Sequence, residues 1–136
     1  MQKVSRHKQR IWALQILYGL DIRKKLDQET ARQSYQKFVL AEGVIEKTAA
    51  ELYVKELLFG IIMELELLDA QIDRYAINWN IERMSVIDRN ILRIAVYEIQ
   101  HEIPVGVAIN EAVKVAKEFA DDSSPAFING ILAKFA

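Results

Sequence analysis

Residues 85–100 read SVIDRNILRIAVYEIQ, and the spacing of their apolar side chains decides the fold. Ile87, Ile91, Ile94 and Ala95 fall on one stripe at the helical period, and Leu92, Val96 and Ile99 fall on another. A helix that is apolar on most sides needs neighbours around it, so Val86 to about Gln100 is expected at the centre of a helical bundle. Ser85, with Asp88 three positions on, reads as its N-cap: the hydroxyl accepts a backbone N–H and the acid favours the positive end of the dipole. Pro104 closes the unit, because it lacks an N–H and biases Ile103 away from helix.

Working outward, a further helix is expected from about Val107 to Ala120. Asp121-Asp122-Ser123-Ser124-Pro125 then reads as a loop ending in a cap, with Ser124 at the N-cap and Pro125 at the first helical position, ahead of a short helix to Phe135. Gly130 inside that last helix costs about 1 kcal/mol relative to alanine, and the close approach of a neighbouring backbone is the expected compensation. Upstream, the turn composition of Asn78-Trp79-Asn80 marks a junction. Before it the pattern predicts helices over Ser5 to Leu20, ended by Gly19 and Arg23-Lys24-Lys25, over Gln28 to Glu42, stopped by Gly43, and over a long stretch from Glu46 to about Ala76. The expected fold is all-α: two small helical bundles, about three helices in residues 1–77 and three to four in 78–136, packed as one compact unit.

Composition agrees with a helical, globular chain. The 136 residues are 51% hydrophobic and 27% charged, with two prolines and five glycines, which argues against intrinsic disorder. The absence of cysteine removes disulfides, thiolate catalysis and the usual zinc sets, and fits a reducing cytoplasm. A secretory signal is a poor reading of the N-terminus, since no small-residue cleavage site follows Ile11 to Leu20. Apolar runs such as Leu57 to Met63 are far shorter than the roughly 20 residues a bilayer requires. No G-x-S-x-G elbow, P-loop or G-x-G-x-x-G can be built from the five separated glycines, and His101-Glu102 runs into Pro104 where a zinc-binding helix would continue. Enzymatic activity, a cofactor and a metal are all left unsupported.

Charge is sorted along the chain. Residues 1–25 hold seven bases and one acid, and the remaining 111 hold 11 bases and 18 acids, so a balance of +6 sits on a body of −7. Lys3, Arg6, His7 and Arg10 fall within about 100° of one another on a helix, with Lys8 further round. Bases at a helix N-terminus oppose the macrodipole by roughly 0.3–1 kcal/mol each. A docked anion reverses that penalty, because exposed N–H groups and cationic side chains then act together. A polyanion, RNA above all, is the partner such an end suggests, against the plainer reading of a frayed, solvated terminus. Trp12 lies in the apolar shaft that follows and reads as core, whereas Trp79 beside its turn reads as core edge. Phe127, after an acidic serine-containing loop, stands between core anchor and base-stacking residue.

Residues 79–98 (WNIERMSVIDRNILRIAVYE), Ile103-Pro104, 108–112 (AINEA), Ala116-Lys117 and 127–132 (FINGIL) resemble the NusB family of bacterial transcription antitermination factors. The likeness extends to Arg10, Ala13, Gln15, Leu17 and Tyr18 in the first helix, while residues 21–56 carry no signature. The resemblance implies an all-helical, single NusB-like domain that binds boxA-type single-stranded RNA with the ribosomal protein NusE and joins the elongating RNA polymerase complex, notably on ribosomal RNA operons. It implies RNA contacts for Arg6, Lys8 and Arg10, with Lys3 and His7 beside them, and a second RNA-contacting patch at Ser123, Ser124 and Phe127. Tyr18 and Asp88 fall where the family's protein partner would lie. The motif at 5–10 is less arginine-dense than in strongly RNA-binding members, which implies modest intrinsic affinity, and Ala120 stands where glycine is usual. The alternative is a protein-interaction module of the transcription machinery with little RNA affinity of its own. An apolar helical surface is also able to self-associate, so a homodimer belongs among the expected assemblies. Arg93 and Glu111 read as a pair across helices, and Asn110 and Asn129 as partners of buried backbone groups.

Overall fold

The computed structural model describes residues 4–45, 48 and 52–136, and among them the backbone is helical with no strand. Among the described residues, seven α-helices with defined bounds follow in order: α1 Arg6–Ile22, α2 Gln28–Ala41, α3 Tyr53–Met63, α4 Leu65–Tyr75, α5 Val86–Gln100, α6 Val105–Phe119 and α7 Ser124–Leu132. Short 3-10 turns occupy Ile81–Arg83 and Ala133–Phe135. No described helix is long and apolar enough to cross a membrane. The chain divides into two compact units, Met1–Met63 and Glu64–Ala136.

The division falls at 63/64, whereas the sequence suggested a junction at 77/78. The long helix drawn from Glu46 to Ala76 is two helices, broken at Glu64, whose φ of −102° and ψ of 15° leave the helical region; residues 46, 47 and 49–51 lie outside the described set. Neither glycine nor proline marks the break. Its physical reason is that the flanking residues serve different cores: α3 packs on α1 and α2, and α4 packs on α5.

In the first unit, α1 buries Ala13, Leu17 and Leu20 against Val54, Leu57, Leu58 and Ile61 of α3 and Ala31, Tyr35 and Val39 of α2. Trp12 is core, as expected, edge-on to Phe38 with centroids 5.7 Å apart. Helix α1 continues past Gly19 to Ile22 and closes on Lys24, which takes φ +56° so that Lys25 N–H reaches Leu20 O at 2.8 Å and Lys24 N–H reaches Asp21 O at 3.0 Å. Gly43, at φ +78°, plays the same part after α2, as its position suggested. The Asp27 carboxylate caps α2 on Thr30 N–H at 2.8 Å, and that bond holds its pKa below the ordinary carboxylate value. Burial pushes the Tyr35 phenol from 10.0 up to about 12. The unfolded chain therefore releases this proton first, and folding stability is expected to fall as pH rises from 10 through about 12, an alkaline limb that Tyr35→Phe removes in pH-dependent denaturation.

In the second unit α5 is the central helix. Residues from Asn90 to Glu98 are all buried, with α4, α6 and α7 packed around them. Ser85 caps it as expected, its Oγ accepting Asp88 N–H at 3.0 Å. Arg93, 4% exposed, pairs bidentately with Asp69 of α4 through Nε at 2.8 Å and Nη2 at 2.9 Å, and its Nη1 donates to Asn90 Oδ1 at 3.0 Å. The carboxylate that meets Arg93 bidentately is thus Asp69, which the sequence did not single out. Helix α6 starts at Val105, two residues early, with Pro104 as its N-cap residue. Ala120 ends α6 in extended backbone (φ −112°, ψ −179°), a conformation alanine adopts freely, so its replacement of a glycine costs nothing there.

Helix α7 begins one residue earlier than expected. Ser123 is the N-cap residue and Ser124 is helical, without a side-chain capping bond. Gly130 has no backbone against it: a Cβ there would meet nothing within 4 Å. The expected compensation is absent, and Gly130→Ala should stabilise the protein by about 0.5–1 kcal/mol in a urea or thermal melt.

Candidate nucleic-acid interface

The start of α1 carries the basic motif. Ser5 accepts Lys8 N–H at 3.1 Å and opens the helix, and no acid stands in its first turn. The helix places Arg6 and Lys8 in solvent, with His7 half-buried beside them; Lys3 lies outside the described residues. Arg10 behaves differently, being only 7% exposed.

Two residues that the sequence did not single out organise this end. Gln9 is buried and bridges the chain, its Nε2 donating to Val4 O at 2.9 Å and its Oε1 accepting Val54 N–H at 3.0 Å. Val54 is the second residue of α3, so Gln9 satisfies one of the orphan donors of that helix and holds the starts of α1 and α3 together. Tyr53 lies under the arginines, with the Arg6 guanidinium 3.8 Å from the ring centroid and that of Arg10 6.0 Å away. Stacking covers a guanidinium face and leaves its N–H edge directed outward in the plane, the geometry that phosphate oxygens accept. Two positive helix ends and a steered arginine therefore converge here. The signal for Tyr53 was slight, an aromatic at a helix start within the stretch that has no family signature.

The second patch lies in the other unit. Ser123 is exposed and Phe127 is half-buried, whereas Ser124 is only 3% exposed and contributes to packing. Phe127 meets Trp79 edge-to-face, centroids 6.2 Å apart at 76°, and Trp79 is 51% exposed. The pair forms an aromatic step of the kind on which unpaired bases stack. Trp79 was read as core edge, and its exposure adds it to the patch. Tyr18 is 38% exposed on α1; Asp88 is half-buried in the first turn of α5, its Oδ1 enclosed without a hydrogen-bond partner among the described residues. Asn110 and Asn129, expected to serve buried backbone groups, are both exposed. No group of three or more potential metal ligands occurs among the described residues.

The NusB family model matches residues 7–136. The chain is 52% identical over 132 residues to the transcription antitermination protein NusB of Halothermothrix orenii, covering 97% of this chain and 96% of that protein. Among solved structures it is similar to T. maritima NusB, with a TM-score of 0.84, 32% identity and coverage of 99% of this chain and 92% of the other. It is also similar to a chain in the crystal structure of antitermination factors NusB and NusE in complex with double-stranded RNA, at a TM-score of 0.78, 25% identity and 96% coverage of both. On the family match and on identity over nearly its whole length, the chain belongs to the NusB family.

Proposed function

We propose that the protein is a non-enzymatic, cytoplasmic RNA-binding antitermination factor that recognises boxA-type RNA together with NusE and supports processive transcription of ribosomal RNA operons by the elongating polymerase complex. The observation that carries this reading is the first turn of α1, where Arg6 and Lys8 stand in solvent and the turn itself holds no acid. A chain selected for helix stability alone would place acids there. Support comes from the likeness to a NusB solved with NusE and RNA.

In this reading Arg6, Lys8 and Lys3 take phosphates, with His7 beside them as a hydrogen-bonding partner of the RNA, while Phe127 and Trp79 stack on bases beside Ser123. Each stacked base contributes about 1–3 kcal/mol. Three phosphate contacts give a slope of log affinity against log salt of about −2 for single strands. Arg10 and Ser124 are buried and act by holding neighbouring groups in place. Tyr18 and Asp88 belong to the surface offered to NusE, which a self-associated form would have to release.

That same burial of Arg10 favours a second reading, in which intrinsic RNA affinity is small and the chain acts chiefly through its protein partner. Gel-shift titration of boxA-like against unrelated RNA, with and without NusE, separates the two. Preferential retention of boxA-like RNA by the chain alone, strengthened by NusE, is expected. Normal capture of NusE with no RNA retention at low salt would favour the second reading.

A further inference from the structure

Outside the patches described, the second unit contains an open groove of about 560 Å³ between α6 and α7. Its polar lining consists of Asn110, Lys114 and Lys117 from α6 and Asn129 from α7, with Val113 and Pro125 among its apolar walls. Positions 110, 114 and 117 share one face of α6 at the i, i+4, i+7 spacing. All four polar residues are exposed. The lining residues include two cations and no carboxylate. Glu111 forms an i,i+3 ion pair with Lys114 at 3.9 Å, a weak pair on an ammonium that stays largely in solvent; Glu118, Asp121 and Asp122 follow in the chain and are exposed. Lys117 also has a structural role as a cation in the last turn of α6. Lys114, mid-helix, has no such role.

We propose that this groove is a nucleotide subsite, taking a phosphate on Lys114 and Lys117 and a base edge on Asn110 and Asn129. The inference rests on the RNA-binding reading above and extends the path of the RNA beyond the aromatic step. Asparagine amides both donate and accept, as base edges require, and ammonium groups bind phosphate as point charges. The apolar walls suit the faces of a base rather than a hydrated ion. At 100° per residue, Phe127 leaves α7 on roughly the opposite side from Pro125 and Asn129. A strand stacked on Phe127 reaches the groove by crossing the start of α7, past exposed Ser123.

The test uses the full chain and fluorescence anisotropy on a boxA-like RNA and on versions extended at either end. Lys114→Gln/Lys117→Gln is expected to weaken binding of an extended RNA about tenfold and to flatten its salt slope by roughly 0.7, the contribution of one phosphate contact. Asn110→Ala/Asn129→Ala should weaken it several-fold with the slope unchanged. Both pairs are exposed, so the fold survives, and circular dichroism melts verify it. Loss on the lysine change without loss on the asparagine change would mean general attraction and overturn the subsite. Binding equal to wild type for both variants at every RNA length would overturn the groove and leave the RNA reading standing. Wild-type protein that binds no RNA, with or without NusE, would overturn both.

Discussion

Asp69→Ala should lower folding stability by about 3 kcal/mol, at the lower end of the range for breaking a buried ion pair, because Asp69 is partly exposed while its partner is not. The substitution leaves Arg93, 4% exposed, without the carboxylate that meets its Nε and Nη2 at 2.8 and 2.9 Å. The Asn90 amide oxygen still accepts one N–H but supplies no charge. Urea denaturation followed by circular dichroism measures the loss. Asp69→Asn, which keeps an acceptor of the same shape, should cost distinctly less. A loss below about 1 kcal/mol, the level of a surface ion pair, would mean that the pairing of α4 with α5 rests on apolar contact alone.

Arg6→Ala/Lys8→Ala should act on the opposite quantity. Removing two exposed cations from the start of α1 is expected to weaken RNA binding about ten- to a hundredfold near physiological salt and to reduce the salt slope by roughly 1.4. Stability should change by less than about 1 kcal/mol, since loss of the Arg6 contact with Tyr53 is offset by relief of the unfavourable charge–dipole interaction. Anisotropy titrations across a salt series, paired with melts of the same variant, read the two effects separately. Tyr53→Leu tests the positioning role: it leaves every charge in place, so the salt slope should persist while affinity drops a few-fold. An unchanged affinity in Tyr53→Leu would show that Arg6 needs no steering.

Much of this was legible in the sequence where a local rule decides the outcome. Helix α5 was readable because its two apolar stripes and the Ser85 cap point to the same answer, and Gly43 because α2 ends in a left-handed residue. The break at Glu64 was not readable, since no glycine or proline causes it and the helical period runs through it. What changes there is which core the side chains enter, a long-range fact. The same distinction separates Arg6 from Arg10. The helical period puts them on one face, yet burial of Arg10 depends on where Tyr53 and the start of α3 arrive, more than 40 residues later in the chain. Ser123 and Ser124 are equally competent caps by type, so the sequence could not choose between them. Trp79 was placed beside a turn correctly, but its pairing with Phe127 is a contact between residues remote in sequence.

The central claim, that RNA docks on the start of α1 and on the loop and first turn of α7, is tested most directly by titrating boxA-like RNA into 15N-labelled protein and following backbone amide shifts. Perturbations concentrated at residues 5–10 and 123–127, with Trp79 indole N–H moving alongside them, are the predicted result. Shifts confined to other surfaces, or amides at 5–10 that stay fixed while RNA binds, would contradict it.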